Sequence, residues 1–415
     1  VTAILTDEGR RDHLSSGQEG WVALGRTPFY AEAGGQVADQ GTLTSDDLEA
    51  RVTDAWPLGD GRILHRVRVE EGALEEGLEV AAAICRQRRA DVARNHTATH
   101  LLHAALREVL GEHVRQSGSL VAPDRLRFDF THHSALTSDE RRRIEDRVNQ
   151  WILQSHPVRA HHTTYERALE EGAIALFGER YGAGDVRVVT AGDVSRELCG
   201  GTHVPCTSEI GSFKLTSEGS IGSGLRRVEA VTGRGAVHWM RQQEETAARL
   251  AAELDSSPDE LVSRASELRE TLRERERRLR QLQARLAEMQ VGMVAERAQR
   301  VGKVAVVASR VDAQDAVTLR QMADSLRGKL GDSALVLASV GEGRATLIGA
   351  ATPAAVEDGV NMGQVVSRLG RELGGGGGGR PEMAQAGGDR VDRLDGILEL
   401  AMQLLRDALE GKRGT

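Results

Sequence analysis

The apolar positions along this chain change their period several times. Residues 1–90 carry short strand-like runs at 21–24, 51–55 and 63–69. Gly34-Gly35, Gly41 and Gly59-Asp60-Gly61 divide them. A small β-barrel fits that segment. From about Ala90 the spacing becomes helical. Residues 95–110 place apolar side chains at three- and four-residue intervals, and Gly111 ends the run. Strands at 118–121, 126–130, 186–191, 211–216 and 225–231, with a helix over 138–155 capped by Ser138, make residues 91–235 an α+β domain.

Residues 236–300 form a charged helical stretch in which Ser257-Pro258-Asp259-Glu260 reads as a capping box. From Leu261 to Met293 apolar residues step by threes and fours, and only Arg275 interrupts them. One stripe of this kind fits a helix packed on its own chain and equally a dimerising coiled coil. In residues 301–415, buried-strand runs at 304–308, 334–340 and 345–350 alternate with helices at 316–326, 362–373 and 391–405. That alternation predicts a small α/β domain. Its most unusual feature is a run of six glycines, 374–379, read as a loop and followed by Arg380-Pro381-Glu382-Met383-Ala384-Gln385.

Composition narrows the class. The 415 residues exceed one ordinary domain, and aromatics are only 3%, so the cores must be aliphatic. A net charge of −8 excludes a globally basic nucleic-acid binder but leaves room for a local basic face. Three cysteines, Cys85, Cys199 and Cys206, are too few and too uneven for a disulfide framework, and they point to a reducing, cytoplasmic setting. No membrane span or signal peptide is visible. Because the chain opens on Val1 and runs straight into a strand, it is expected to start inside a longer protein.

The candidate chemistry lies in two separated motifs. His96 and His100, four apart on a helix, present both imidazoles on one face. Far downstream, Cys199-Gly200-Gly201-Thr202-His203 places a thiol and an imidazole around a Gly-Gly turn. Together they make a Cys/His₃ set suited to Zn²⁺. A catalytic ion fits better than a structural one, because a domain this long needs no metal to fold. If one ligand is loose, His203 is the expected one. The remaining histidines, His103 among them, read as ordinary hydrogen-bonded residues.

Residues 95–102 (Asn-His-Thr-Ala-Thr-His-Leu-Leu) and 199–204 (Cys-Gly-Gly-Thr-His-Val) resemble the editing-domain motifs of alanyl-tRNA synthetases. Residues 28–36 resemble the barrel segment just upstream, 225–233 the segment closing that domain, and 374–388 part of the C-terminal tRNA-binding module. The resemblance implies zinc on His96, His100, Cys199 and His203, and an amino-acid pocket lined by Thr99, Gln116 and Ser117. It implies tRNA contacts in the C-terminal domain, where Arg371, Gly376 and Arg380 are the candidates. It also implies that the ATP-dependent aminoacylation domain, which would attach alanine to tRNA(Ala), is not in these residues. The expected activity is hydrolysis of the ester in Ser-tRNA(Ala) and Gly-tRNA(Ala). An alanine-activating pocket cannot exclude the smaller glycine and rejects serine poorly. Zinc could activate water, polarise the carbonyl or anchor the α-amino group, and the sequence does not choose.

Other readings differ in class. A free-standing trans-editing deacylase would use the same parts. A DHH-type phosphoesterase carries a similar glycine-rich module, but Thr131-His132-His133 lacks the Asp that class needs. A non-catalytic tRNA-binding module, dimeric through 261–293 and the C-terminal domain, would use zinc only structurally.

Overall fold

The computed structural model describes residues 1–59, 61–175 and 185–411. The chain divides into two compact units, Val1–Pro258 and Asp259–Thr415. The boundary falls inside the helical stretch 236–300.

The first unit opens with strands β1 (Ala3–Thr6), β2 (Gly9–Arg11), β3 (His13–Ser15), β4 (Glu19–Ala23), β5 (Gly41–Ser45), β6 (Leu48–Pro57), β7 (Ile63–Glu71), β8 (Ala73–Glu75) and β9 (Ala81–Ile84). Seven of them form one antiparallel sheet in the order β2-β1-β4-β7-β6-β5-β9, while β3 pairs with β8. The described ladders leave β2 and β9 as edges, so hydrogen bonding defines an open sheet rather than the closed barrel expected. Alternation does the folding: Leu48, Ala50 and Val52 are buried while Glu49 and Arg51 are exposed, and Ala50 and Val52 sit opposite Val69 and Val67. Each such valine contributes roughly 1.5–3 kcal/mol on burial.

Helix α1 (Arg86–Leu110) begins nine residues earlier than its apolar spacing suggests. It is followed by β10 (Gln116–Val121), β11 (Leu126–Thr131), α2 (Ser138–Leu153), β12 (Val158–Thr164), α3 (Tyr165–Glu170), β13 (Asp185–Ala191), β14 (Ser195–Leu198), β15 (Phe213–Gly222), β16 (Leu225–Thr232) and α4 (Gly233–Glu253). The N-cap of α2 is Thr137, not Ser138: Thr137 and Glu140 form a complete capping box. A four-stranded sheet, β10-β11-β16-β15, and a three-stranded sheet, β12-β13-β14, complete this part. Leu101, Leu102, Ala105 and Leu106 of α1 share a core with Phe128, Phe130, Val228 and Ala230. From Val92 to Leu106 α1 is buried almost all round, which explains why its polar residues all have partners.

A short 3₁₀ turn (Pro258–Glu260) crosses the boundary, and the second unit continues with α5 (Leu261–Glu296). The N-cap of α5 is Glu260, without a side-chain cap. Then come β17 (Gln299–Val301), β18 (Val304–Arg310), α6 (Ala316–Leu330), β19 (Ser333–Gly341), β20 (Arg344–Ala351), α7 (Pro353–Glu357), α8 (Met362–Glu372), β21 (Gly376–Arg380), β22 (Met383–Gly388) and α9 (Leu394–Gly411). The sheet order is β17-β18-β19-β20-β22-β21. Successive residues of the inner strands feed two cores: Val306, Val336 and Leu347 join α8 and α9, while Val307, Leu335 and Ile348 join α5 and α6. Burial on both faces is why these strands read as unbroken apolar runs. One further expectation changes here, and one left open is narrowed. The glycine run is not a loop, because Gly376–Arg380 is the edge strand of a hairpin turning at Pro381-Glu382. And α5 packs on its own unit through Val291 and Val294, leaving Leu268, Leu272, Leu279, Leu282, Leu286, Met289 and Met293 exposed.

Candidate metal centre

The i, i+4 spacing does what it predicts: His96 and His100 project from one face of α1. Strand β14 delivers Cys199 and His203 to the same place. Val189 pairs with Glu197, the Cys199 N–H donates to the Arg187 carbonyl, and the Arg187 guanidinium donates back to the Cys199 and Gly201 carbonyls at 2.9 and 2.8 Å. That clamp fixes the turn. Its two glycines differ in purpose, and neither has a positive φ. A Cβ on Gly201 would lie 2.0 Å from His96 Cε1, whereas one on Gly200 would meet nothing within 4 Å. Gly201 is therefore required by close approach to the ligand helix rather than by the turn conformation its sequence suggests.

The four ligand atoms, one each from His96, His100, Cys199 and His203, lie within 4.8 Å of one another. Cys199 Sγ is 3.3 Å from His96 Nε2 and 3.2 Å from His203 Nε2. Ligand separations around tetrahedral zinc are roughly 3.3–3.6 Å, given Zn–S and Zn–N bonds of ~2.3 and ~2.0 Å. The donor set and its spacing fit Zn²⁺.

The outer contacts explain why the imidazoles face inward. His100 Nδ1 is 3.3 Å from Glu197 Oε2, so that nitrogen keeps a proton and Nε2 is the one turned toward the cluster. Thr97 Oγ1 donates its one proton to the Ala93 carbonyl, so it accepts from His203 Nδ1 at 3.1 Å, which again leaves Nε2 bare. His96 Nδ1 lies 2.7 Å from Gln36 Oε1. Glu197 is itself buried and also accepts from His103 Nδ1 at 3.0 Å. Electrostatics agrees with this arrangement. Burial opposes ionisation of Cys199, but His96 and His100 outweigh it and hold the thiol well below its ordinary range. Burial would likewise lower His100, yet Glu197 and Cys199 carry it up to about 9. Burial and the neighbouring His96 push His203 down to about 3. For Glu197, burial raises the carboxyl, but His100 and His103 together bring it below its usual value.

The chain also resembles known proteins along its length. Residues 186–229 match the family described as "Threonyl and Alanyl tRNA synthetase second additional domain", 303–407 the DHHA1 domain, and 1–88 the class II (A) tRNA synthetases. The alanine–tRNA ligase of Pelotomaculum thermopropionicum is 46% identical over 410 residues, which are 99% of this chain and 47% of that protein. This chain belongs to the alanyl-tRNA synthetase family. The Geobacillus thermodenitrificans alanine–tRNA ligase is also 46% identical, over 96% of this chain and 45% of its own length. The chain thus spans about half the length of the synthetases it matches. A solved structure, the C-Ala domain from Aquifex aeolicus alanyl-tRNA synthetase, aligns at 27% identity and TM-score 0.25, covering 26% of this chain and 97% of that one. No helix among the described residues is long and apolar enough to cross a membrane.

The other site residues expected from the synthetase resemblance are placed as follows. Thr99 is buried, and its hydroxyl donates to the Asn95 carbonyl at 2.8 Å. Gln116 begins β10 opposite the buried Phe130, so it shares the sheet face that packs on α1, while Ser117 is exposed across a bulge. Arg371 lies in the last turn of α8, and Gly376 and Arg380 are the two ends of exposed β21. Sequence reasoning missed the outer partners Gln36, Thr97, Arg187 and Glu197. One of them left a signal: Glu197 precedes Cys199 by two residues, the spacing of one strand face, and its other partner, His103, extends the His96/His100 face of α1.

Proposed function

We propose that this chain hydrolyses the ester of mischarged Ser-tRNA(Ala) and Gly-tRNA(Ala), as the editing part of an alanine–tRNA ligase whose whole form uses ATP to charge tRNA(Ala). The observation that carries the reading is the set of inward-facing histidines around one buried thiolate, in a chain of this family. When bound, Zn²⁺ supplies a positive centre able to acidify a water, polarise the ester carbonyl or hold the α-amino group. The chain's own residues set its charge: Glu197 holds the Nδ1 proton of His100, and Thr97 accepts that of His203. Thr99 has committed its proton to Asn95, so toward a serine hydroxyl it serves as acceptor, and Gln116 can supply both donor and acceptor. Ser117, exposed at the bulge, suits the pocket rim. A free-standing deacylase would use the same groups. The test is hydrolysis of seryl-tRNA(Ala) by this protein with and without a zinc chelator. Activity that is absent, or indifferent to chelation, rejects the reading in favour of a tRNA-binding module.

The C-terminal unit is proposed to bind the tRNA body. On β21 and the residue before it, the glycines alternate in what requires them. A Cβ on Gly375, Gly377 or Gly379 would lie 1.9, 2.3 or 2.4 Å from atoms of β22, but Gly376 and Gly378 have nothing within 4 Å and no positive φ. Glycine weakens a strand, and bare positions on an open face mark close approach by something external. Phosphate and ribose fit that description, with Arg371 and Arg380 adding charge. The exposed leucine stripe of α5 is proposed to pair with a second copy. Sedimentation showing a monomer at all concentrations would dismiss that pairing.

A further inference from the structure

We propose that Gln36, in the N-terminal segment between β4 and β5, is a positioning residue of the metal centre that holds His96 in its metal-binding form. The proposal rests on the zinc reading above and adds a residue to it from outside the ligand motifs.

Hydrogen bonding fixes the orientation of the Gln36 side chain. Its Oε1 receives the Thr202 backbone N–H at 2.9 Å. A backbone N–H can only donate, so the atom it meets must be the carbonyl oxygen and not the amide nitrogen. The same oxygen also accepts from the Thr202 hydroxyl at 3.2 Å. Because an amide oxygen cannot donate, His96 Nδ1 at 2.7 Å must carry the proton. His96 Nε2, facing Cys199 Sγ at 3.3 Å, is then the lone-pair nitrogen a metal needs. One oxygen therefore ties the tautomer of a helix ligand to the backbone of the Cys199–His203 turn.

The segment that carries Gln36 is itself anchored. The Val37 N–H donates to the Val121 carbonyl at 3.0 Å, and the Val121 N–H donates to the Gly35 carbonyl at 2.7 Å, so the segment runs alongside β10. Gly35 has φ +80° and would put a Cβ 2.4 Å from the Ser119 carbonyl oxygen, which reserves the position for glycine. Buried Asp39 accepts from Arg89 Nε of α1 at 2.9 Å. Gln36 is itself fully buried, and its Nε2 has no partner among the described residues. A buried amide nitrogen with both N–H donors unsatisfied costs stability unless the contacts of its oxygen or a ligand return it.

The test is zinc affinity of the full chain by chelator competition, with the visible absorption of the Co²⁺-substituted protein as a second readout. Gln36→Met keeps the volume and removes the acceptor. It is expected to weaken zinc by ~10–100-fold, the usual effect of losing an outer-shell partner. Gln36→Glu keeps an acceptor for His96 and Thr202 and is expected to restore affinity to within a few-fold. If Gln36→Met does not fold, Gln36→Asn, which withdraws the oxygen by one methylene, takes its place with the same expected loss. Wild-type zinc affinity and an unchanged Co²⁺ spectrum in either folded variant overturn the proposal, as does a Gln36→Glu protein no better than Gln36→Met. Since neither readout involves hydrolysis, a chain that binds zinc through Gln36 yet cleaves no ester would reject the proposed function and leave this inference standing.

Discussion

The metal cluster and the glycine strand are opposite ways of building a site. Around Cys199 three of the four residues are buried and His203 is half-buried, and each imidazole is held by a second residue drawn from elsewhere in the chain: Gln36, Thr97 or Glu197. On β21 the five residues are all exposed, and at two of the glycines, Gly376 and Gly378, an added Cβ would meet nothing within 4 Å. Buried polar groups must be satisfied from within, so the protein over-determines them. An exposed bare backbone needs no such support, and this one is the face proposed for tRNA. The contrast can be broken at either end.

The largest effect is expected at the cluster. Cys199→Ala should lower hydrolysis of seryl-tRNA(Ala) by more than about 100-fold, since even outer-shell losses cost ~10–100-fold. The fold should survive, because the surrounding core of Leu101, Phe128 and Val228 does not depend on the ion. Circular dichroism showing a globally unfolded mutant would make the metal structural instead.

Next comes pH. In the metal-free protein, Cys199 is a thiolate and His100, with its pKa near 9, an imidazolium; the unfolded chain between pH 6.5 and 9 holds a thiol and a neutral imidazole. Both states bind the same number of protons, so these groups leave stability flat across that window. Below 6.5 the unfolded chain also protonates His100 and His203, while folded His203 stays neutral down to about 3. The unfolded state then binds more protons, and stability falls with pH. Urea melts of chelator-treated protein should show this loss setting in near pH 6.5. Zinc affinity should already fall as pH drops below about 9, because binding must displace the His100 proton. A metal-free protein equally stable at about pH 5 and about pH 8 would contradict the charge assignment.

A smaller effect is expected at the strand. Gly376→Val with Gly378→Val meets no steric obstacle within the chain and should leave the melting temperature unchanged or raised. It should nonetheless weaken tRNA binding several-fold, and the wild-type affinity should drop steeply with salt. Unchanged binding would return β21 to a purely structural role. The smallest effect concerns selectivity. Substituting Thr99 and Gln116 should shift the serine/alanine hydrolysis ratio by about two- to tenfold, the range of one hydrogen bond at ~0.5–1.5 kcal/mol. A constant ratio would mean that Thr99 merely bonds its own helix.

The sequence by itself determined the Cys/His group and most of the elements. His96 and His100 share a helical face wherever that helix lies, and Cys199 and His203 are too close in the chain to separate far. Alternation in Leu48–Pro57 and the unbroken apolar runs of β18 to β20 report one-sided and two-sided burial directly, because side-chain direction follows from backbone period. Tertiary structure decided the rest. The N-terminal sheet stays open between β2 and β9, and the break between units falls at Pro258 rather than at residue 235 or 300. The glycine run becomes a strand because β22 offers it a ladder, which no local preference of glycine could announce. The apolar stripe of α5 faces outward because Val291 and Val294, not the leucines, meet α6. The partners of the histidines also lay beyond reach: Gln36 is 60 residues from His96, and Glu197 is 94 from His103. Periodicity records which way a side chain points along its own element. Only packing records what it meets there.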